Sequence, residues 1–308
     1  MRTDYPARAS ERNAWIVEQR GQRNSLDPFR PYASLWEEET GEEGFPISTA
    51  TLFLTNKECP FRCLMCDLWQ NTLTETVPVG AIPHQIRQAL SELPPAKQIK
   101  LYNSGSFFDP KAIPPEDYPA IAQEIVGFER VIVECHPAFI SPHLFKFSSL
   151  LSAKLEVAMG LETANPQILE KLNKQITLDS FRTRSNFLAQ HGIALRVFIL
   201  LRPPYQSEEE GLFWAKRSLD FAFDCGATAC CVIPVRDGNG AMEALSEEGN
   251  YTPPRIASLV EAVHYGLSLG KGRVFADLWD ITRFAHTPED HAHIASLETL
   301  NRTQKLLP

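Results

Sequence analysis

The sequence predicts an α/β protein built as a parallel sheet wrapped by helices, on three observations. From Ser48 onward, short apolar runs alternate with longer amphipathic ones in six strand-then-helix units. The residues with unusual chemistry fall just after the apolar runs, where a parallel sheet gathers the C-terminal ends of its strands. The third is length: 308 residues, 44% hydrophobic and 22% charged, can bury a sizeable core. An open doubly wound sheet and a closed or partly closed barrel both fit this pattern.

STATLFLTN (48–56) reads as the first strand and VGAIPHQIRQALSEL (79–93) as the helix behind it. KQIKLYNSG (97–105) and RVIVECHP (130–137) follow as strands, with helices over PEDYPAIAQEIVGF (115–128) and SPHLFKFSSLL (141–151). KLEVAMGLET (154–163) is the fourth strand; the helical stretch 166–192 stops at Gly192. ALRVFILLRPP (194–204) is the fifth, ahead of a helix over 207–226 that Ser207 caps, and ATACCVIPV (227–235) is the sixth. Helices are expected over 254–270 and 288–300, and RVFADLW (273–279) could add a seventh strand. No Gly-x-Gly-x-x-Gly follows the first strand, which argues against a dinucleotide-binding fold. Residues 1–47 show no long period and read as an extension or cover.

Charge and cysteine usage narrow the function classes. A net charge of −8 disfavours a large electropositive surface for nucleic acid, because phosphate contacts need clustered Lys and Arg. The one basic stretch is the first thirty residues, with Arg2, Arg8, Arg12, Arg20, Arg23 and Arg30 against four acids. The acidic run behind it, WEEETGEE (36–43), reads as a solvated loop. No run approaches the roughly 18 apolar residues of a membrane span. The N-terminal MRTDYPARASERNAWIVEQR lacks the apolar segment of a secretory signal, so a cytoplasmic location and no membrane partner are expected. Seven cysteines, an odd number, do not suggest a disulfide framework.

KECPFRCLMCDLW (57–69) crowds Cys59, Cys63 and Cys66 behind the first strand as C-x3-C-x2-C. Buried apolar cysteines are one reading. Zinc is another, but it takes four ligands, usually as two separated pairs, and no second pair is apparent. An iron–sulfur cube takes one thiolate per iron, so three cysteines on one loop leave an iron open for an exogenous ligand. The open-site cube fits best. Pro60 and the short spacers would bend the loop, Lys57 and Arg62 could offset the cluster's charge, and Asp67 is a poor fourth ligand for a soft iron site.

C-x3-C-x2-C after the first strand of a β/α barrel resembles the radical SAM superfamily. The resemblance implies a partial (β/α)6 barrel over 48–245, with the extension at 1–47 and a C-terminal cap over 246–308. It implies a [4Fe-4S] cluster whose open iron binds S-adenosylmethionine (SAM). Reductive cleavage would yield a 5′-deoxyadenosyl radical that abstracts hydrogen from a substrate. An electron donor such as flavodoxin or ferredoxin would be needed. Many members carry an aromatic residue where this chain has Met65.

The resemblance also carries over SAM contacts. NSGSFFDP (103–110) stands where the second-strand loop receives the methionyl amino group; Gly105 permits close backbone approach, and Asn103, Ser104 and Ser106 supply polar partners. A helix-capping turn is the plainer alternative. Glu162, ending GLET, is suited to the ribose or the ammonium, and Arg202 to a carboxylate, although a surface Glu and a structural salt bridge are alternatives. The sixth strand would pack on adenine through its backbone, with Cys230 and Cys231 in the core. Cys135 and His136 could face the cavity, and His136 reads better as a satisfied rim histidine.

The succession TNKECPFRCLMCDLW … YNSGSFFDP … VECHPAFI … GLETAN … LNKQIT … LLRPPYQSEEE is similar to one branch, that of the radical SAM subunit of archaeosine synthase. Elongator-type and methylthiotransferase domains are more distant likenesses. Members of that branch act on modified tRNA bases. This chain has ECHP where the branch carries an Arg after the Glu, an acidic balance and no C-terminal RNA-binding domain. The expected substrate is therefore a small metabolite or natural-product intermediate, with a tRNA base as the alternative. A non-catalytic iron–sulfur or zinc module is the second alternative. Asp277, Trp279 and Asp280, with residues 1–47, are expected to shape the substrate pocket.

Overall fold

Two elements precede the expected first strand. In the computed structural model, which describes residues 4–306, they are α1 (Ala9–Glu18) and β1 (Ala33–Thr40). Arg2 and the outermost residues of the expected extension and cap lie outside the described residues. The acidic run is thus not a solvated loop: WEEET ends β1, which pairs antiparallel with β2 (Pro46–Phe53), and Glu39 is only 7% exposed. Cations already inside the sheet make an inward acid stable there.

The parallel sheet then follows the expected order. α2 (Ala81–Glu92) leads to β3 (Gln98–Tyr102), α3 (Tyr118–Glu124) to β4 (Arg130–Glu134), and α4 (Pro142–Ser148) to β5 (Lys154–Glu162). The stretch 166–192 divides into α5 (Pro166–Lys171) and α6 (Leu178–Gln190) before β6 (Ala194–Leu201). α7 (Glu208–Asp224) starts in a capping box, Ser207 Oγ accepting from Glu210 N at 3.2 Å and the Glu210 carboxylate accepting from Ser207 N at 2.8 Å. β7 (Ala229–Pro234), α8 (Ala241–Glu247), α9 (Ile256–Ser268), β8 (Arg273–Ala276) and α10 (Pro288–Thr303) complete the chain. The eight strands pair in chain order, β2 to β8 all parallel, as a curled, partial barrel. Among the described residues no helix is long and apolar enough to cross a membrane.

Period-two alternation gives the sheet its two faces. Leu52, Leu101, Val133, Val157, Val197 and Val232 are fully buried in the core beneath the helices. Their alternate neighbours point into the barrel, and low in the lumen these are charged. Glu39 takes both Arg196 terminal nitrogens (2.5 and 2.8 Å) and Lys100 Nζ (2.6 Å). Glu156 takes Arg196 Nε (2.6 Å) and Arg130 Nη1 (2.8 Å), with Arg273 at 3.4 Å. Burial alone would raise the Glu39 carboxyl, but Arg196 and Lys100 outweigh it and hold it well below the usual range.

The sheet does not close edge to edge. α10 stands beside both outer strands: Thr40 Oγ1 donates to Arg302 O (2.7 Å), Asn301 exchanges two hydrogen bonds with Ala276, and Gln304 exchanges two with Val274. A second apolar cluster sits over the C-terminal ends of the strands, where Trp15 and Ile16 of α1 pack with Leu64, Leu172, Val235 and Met242.

Glu39→Ala would leave Arg196 and Lys100 without their shared carboxylate inside the barrel. The expected loss is roughly 3–5 kcal/mol in a denaturant titration, with partial recovery when Arg196→Met is added.

Candidate functional site

The loop after β2 crosses the C-terminal mouth of the lumen and is braced from every side. Asn239, after β7, donates through Nδ2 to Leu64 O (2.8 Å) and Cys66 O (3.2 Å), while its Oδ1 accepts from Met242 N (2.8 Å). Asn173, after α5, donates to Arg62 O (2.7 Å), and Leu64 N donates to Leu172 O (2.9 Å). Glu58 gathers Arg20 (2.7 Å), Arg23 and Arg62 (3.0 Å), which ties the segment after α1 to the loop. Phe61 stacks on His136, centroids 3.8 Å apart.

Cys59, Cys63 and Cys66 are all free thiols on this loop. Burial, with the effect of the cysteines on one another, pushes each up to about 12, while Lys174 opposes the rise at Cys59 and Cys63, and Arg20 at Cys63 and Cys66. The cations acting on the thiols are therefore Lys174 and Arg20, whereas Arg62 is turned to Glu58 and to Cys59 O (2.5 Å). Three half-buried thiols whose ionisation is mutually opposed suit a cationic metal core, whose binding would expel the protons. Among the described residues no three His, Cys, Asp or Glu side chains are gathered for a single metal ion. A cube, holding one thiolate per iron, spreads its ligands wider than one ion does. The donor set fits the cube.

The other expected residues divide. Ser104 and Gly105 lie beside the loop: a Cβ on Gly105 would come 3.3 Å from Cys59 Cβ, and Ser104 Oγ meets Tyr32 Oη at 2.9 Å. Asn103 is fully buried, and its side-chain amide has no partner. The backbone N–H groups of Asn103, Ser104 and Gly105 point at the Glu134 carboxylate, the Asn103 one at 3.0 Å. Ser106 Oγ accepts from His136 N (2.8 Å). Glu162 pairs with Lys174, over a glycine, Gly160, whose missing Cβ leaves them room. Ser104 just after β3, Glu162 at the end of β5 and Arg202 just after β6 adopt φ of +54°, +68° and +53°, strain held at the mouth of the barrel.

Arg202 is not brought to the loop. It donates to Glu208 (2.8 Å) and Pro253 O (2.8 Å), a structural bridge. His136 is the satisfied rim histidine: Nδ1 accepts from Ala138 N, so Nε2–H donates to Lys174 O (2.9 Å), and burial, with Lys174, lowers its pKa to about 3. Cys135 and Cys230 are core residues, but Cys231 lies on the lumen side of β7 and is partly exposed. Of the basic stretch, Arg12, Arg20 and Arg23 are spent on internal partners.

Sequence reading alone did not single out Tyr32, Glu134, Lys174 or Asn239. Lys174 stands in a stretch that it marked, LNKQIT, Asn239 in the loop that follows the expected sixth strand, and an acid closing the apolar run RVIVE was the signal for Glu134.

No protein-family model matches the chain. It is 26% identical over 246 residues to archaeosine synthase subunit beta of Methanosarcina acetivorans, covering 76% of this chain and 71% of that protein. It is also 26% identical over 242 residues to archaeosine synthase subunit beta of Thermococcus kodakarensis, covering 74% and 75%. Among solved structures it superposes on the archaeal Elp3 of Methanocaldococcus infernus with a TM-score of 0.53 at 15% identity. That match covers 71% of this chain and 59% of the other, less than two thirds of it, and shows the fold.

Two outcomes follow from the bracing and the buried acid. Asn239→Ala should lower the iron taken up in anaerobic reconstitution several-fold, read by iron analysis, with far-UV circular dichroism unchanged. Burial raises the Glu134 carboxyl from 4.5 to about 7 against the three N–H groups. Its contribution to stability is full below pH 4.5 and lost as the pH rises through 7. Denaturant midpoints between pH 4.5 and 8 should show that fall, about 3 kcal/mol by the shift, and Glu134→Gln should abolish it.

Proposed function

We propose that the chain is a radical SAM enzyme in which Cys59, Cys63 and Cys66 hold a [4Fe-4S] cluster and Ser104, Gly105, Ser106 and Glu162 border the bound SAM. Cluster and cofactor would supply the hard chemistry, reductive cleavage to a 5′-deoxyadenosyl radical, with the electron coming from a donor such as flavodoxin or ferredoxin. The chain's own residues hold and shield. Gly105 lets the β3 loop approach Cys59, Lys174 places a positive charge beside two of the thiols, and the cluster around Trp15 and Leu64 shields the cysteine loop on the side of α1.

The observation that carries this reading is the set of three free cysteines on one braced loop at the C-terminal mouth of the barrel. Hydrogen abstraction from a small molecule is the favoured outcome. Arg12, Arg20 and Arg23 of the basic stretch bind Glu170, Glu58 and the Trp69 carbonyl, so these three are not free to hold phosphates. The names of the relatives favour a second reading, the same chemistry on a tRNA base.

Anaerobic reconstitution with iron and sulfide, then dithionite and SAM, should release 5′-deoxyadenosine, and Cys63→Ala should abolish it. Release that survives Cys63→Ala would remove the ligand assignment. In a gel-shift assay at physiological salt, bulk tRNA should run unretarded; retention by the cluster-loaded protein would move the substrate to RNA.

A further inference from the structure

Above its charged floor the lumen is open to water. Each inward residue there is partly exposed while its outward neighbour is sealed: Phe53 beside Leu52, Tyr102 beside Leu101, Phe198 beside Val197. The wall is aromatic. The Phe53 ring lies 5.6 Å from Tyr32, 6.1 Å from Tyr102 and 5.9 Å from Trp279, and Tyr102 lies 6.2 Å from Phe198. Trp279 ends this chain of rings at the mouth, 58% exposed, and its backbone N–H donates to Asp277 Oδ1 at 3.1 Å.

Directly after Cys66 stands Asp67, near enough to Tyr32 for its charge to act on that ring's hydroxyl. It is half-buried and makes no ion pair among the described residues. The two guanidinium groups that act on it are committed elsewhere, Arg236 to Asp277 and Arg283 to Asp237. Ring faces attract cations through their quadrupole, and a half-desolvated carboxylate takes a charged N–H donor better than a neutral one.

We propose that the mouth beside β2 and β8 is a substrate subsite for an organic cation, an amine or amidine, whose charge Asp67 receives while Phe53 and Trp279 flank the adjoining carbon. The proposal rests on reading the chain as an enzyme that brings a substrate C–H bond to the cysteine loop, and it deepens that reading. Asp67 follows Cys66 in the chain, so the charged end of the substrate sits next to the cluster loop. Arg236 stays with Asp277, which keeps an anionic group from being preferred.

Benzylamine, benzyl alcohol and benzoate share one ring and differ in charge. Their affinities for the cluster-loaded protein with SAM, measured by ligand-observed NMR, test the assignment. Benzylamine should bind at least tenfold more tightly than the other two. The isosteric Asp67→Asn should cancel that preference, and Trp279→Leu, at an exposed position, should weaken benzylamine and benzyl alcohol alike. Equal affinities, no binding of benzylamine, tightest binding of benzoate, or a preference that survives Asp67→Asn would each overturn the proposal. Loss of 5′-deoxyadenosine release with the preference intact would remove the catalyst and leave the subsite. Release without the preference would remove the subsite alone.

Discussion

The barrel depends on charges that it has turned inward. Glu39 and Glu156 share Arg196, and Lys100, Arg130 and Arg273 complete a network in the lowest layer of the lumen. Partners left unpaired there would cost far more than the network gains over an apolar packing. The six side chains therefore fix how β1, β3, β4, β5, β6 and β8 stand around one another. A floor made of ions does not fill the lumen to the top, which leaves the aromatic layer above it reachable by solvent.

At the other end of the strands, order comes from hydrogen bonds to backbone. The cysteine loop has no regular structure apart from a short 3-10 turn, Leu68–Asn71, at its end. Its carbonyls are instead answered by the side chains of Asn173 and Asn239, which arrive from different βα connections. A loop held in this way keeps its three sulfurs on one side without any of them being needed as a structural tie. Glu58 adds a second kind of hold, for its three arginines come from the N-terminal segment and from the loop itself. The N-terminal residues are thus part of the site's frame.

The parallel strands were legible because apolar runs bounded by turn residues keep their meaning without tertiary context, and the cysteine spacing was legible because it is local. β1 was not. Its alternation reads Leu35, Glu37, Glu39 on one face and Trp36, Glu38, Thr40 on the other, and only the cations of distant strands make the first face an inner one. Asn239 and Lys174 escaped for the same reason, since an amide or an ammonium gains its role from groups well over a hundred residues away or across a turn of the barrel. Arg202 shows the converse: its position at a strand end suggested a ligand contact, and a local acid, Glu208, satisfied it first.

The outer edges of β1 and β8 have a different kind of neighbour from every other strand edge in the sheet, the helix α10. Two side-chain amides, Asn301 and Gln304, occupy the donors and acceptors that another strand would use. A ladder separates as a unit, whereas amides projecting from a helix can follow the strand as the helix tilts. The β1–β8 seam is therefore bridged by a helix and its side chains, and a shift of α10 along it would not require any pair of strands to come apart.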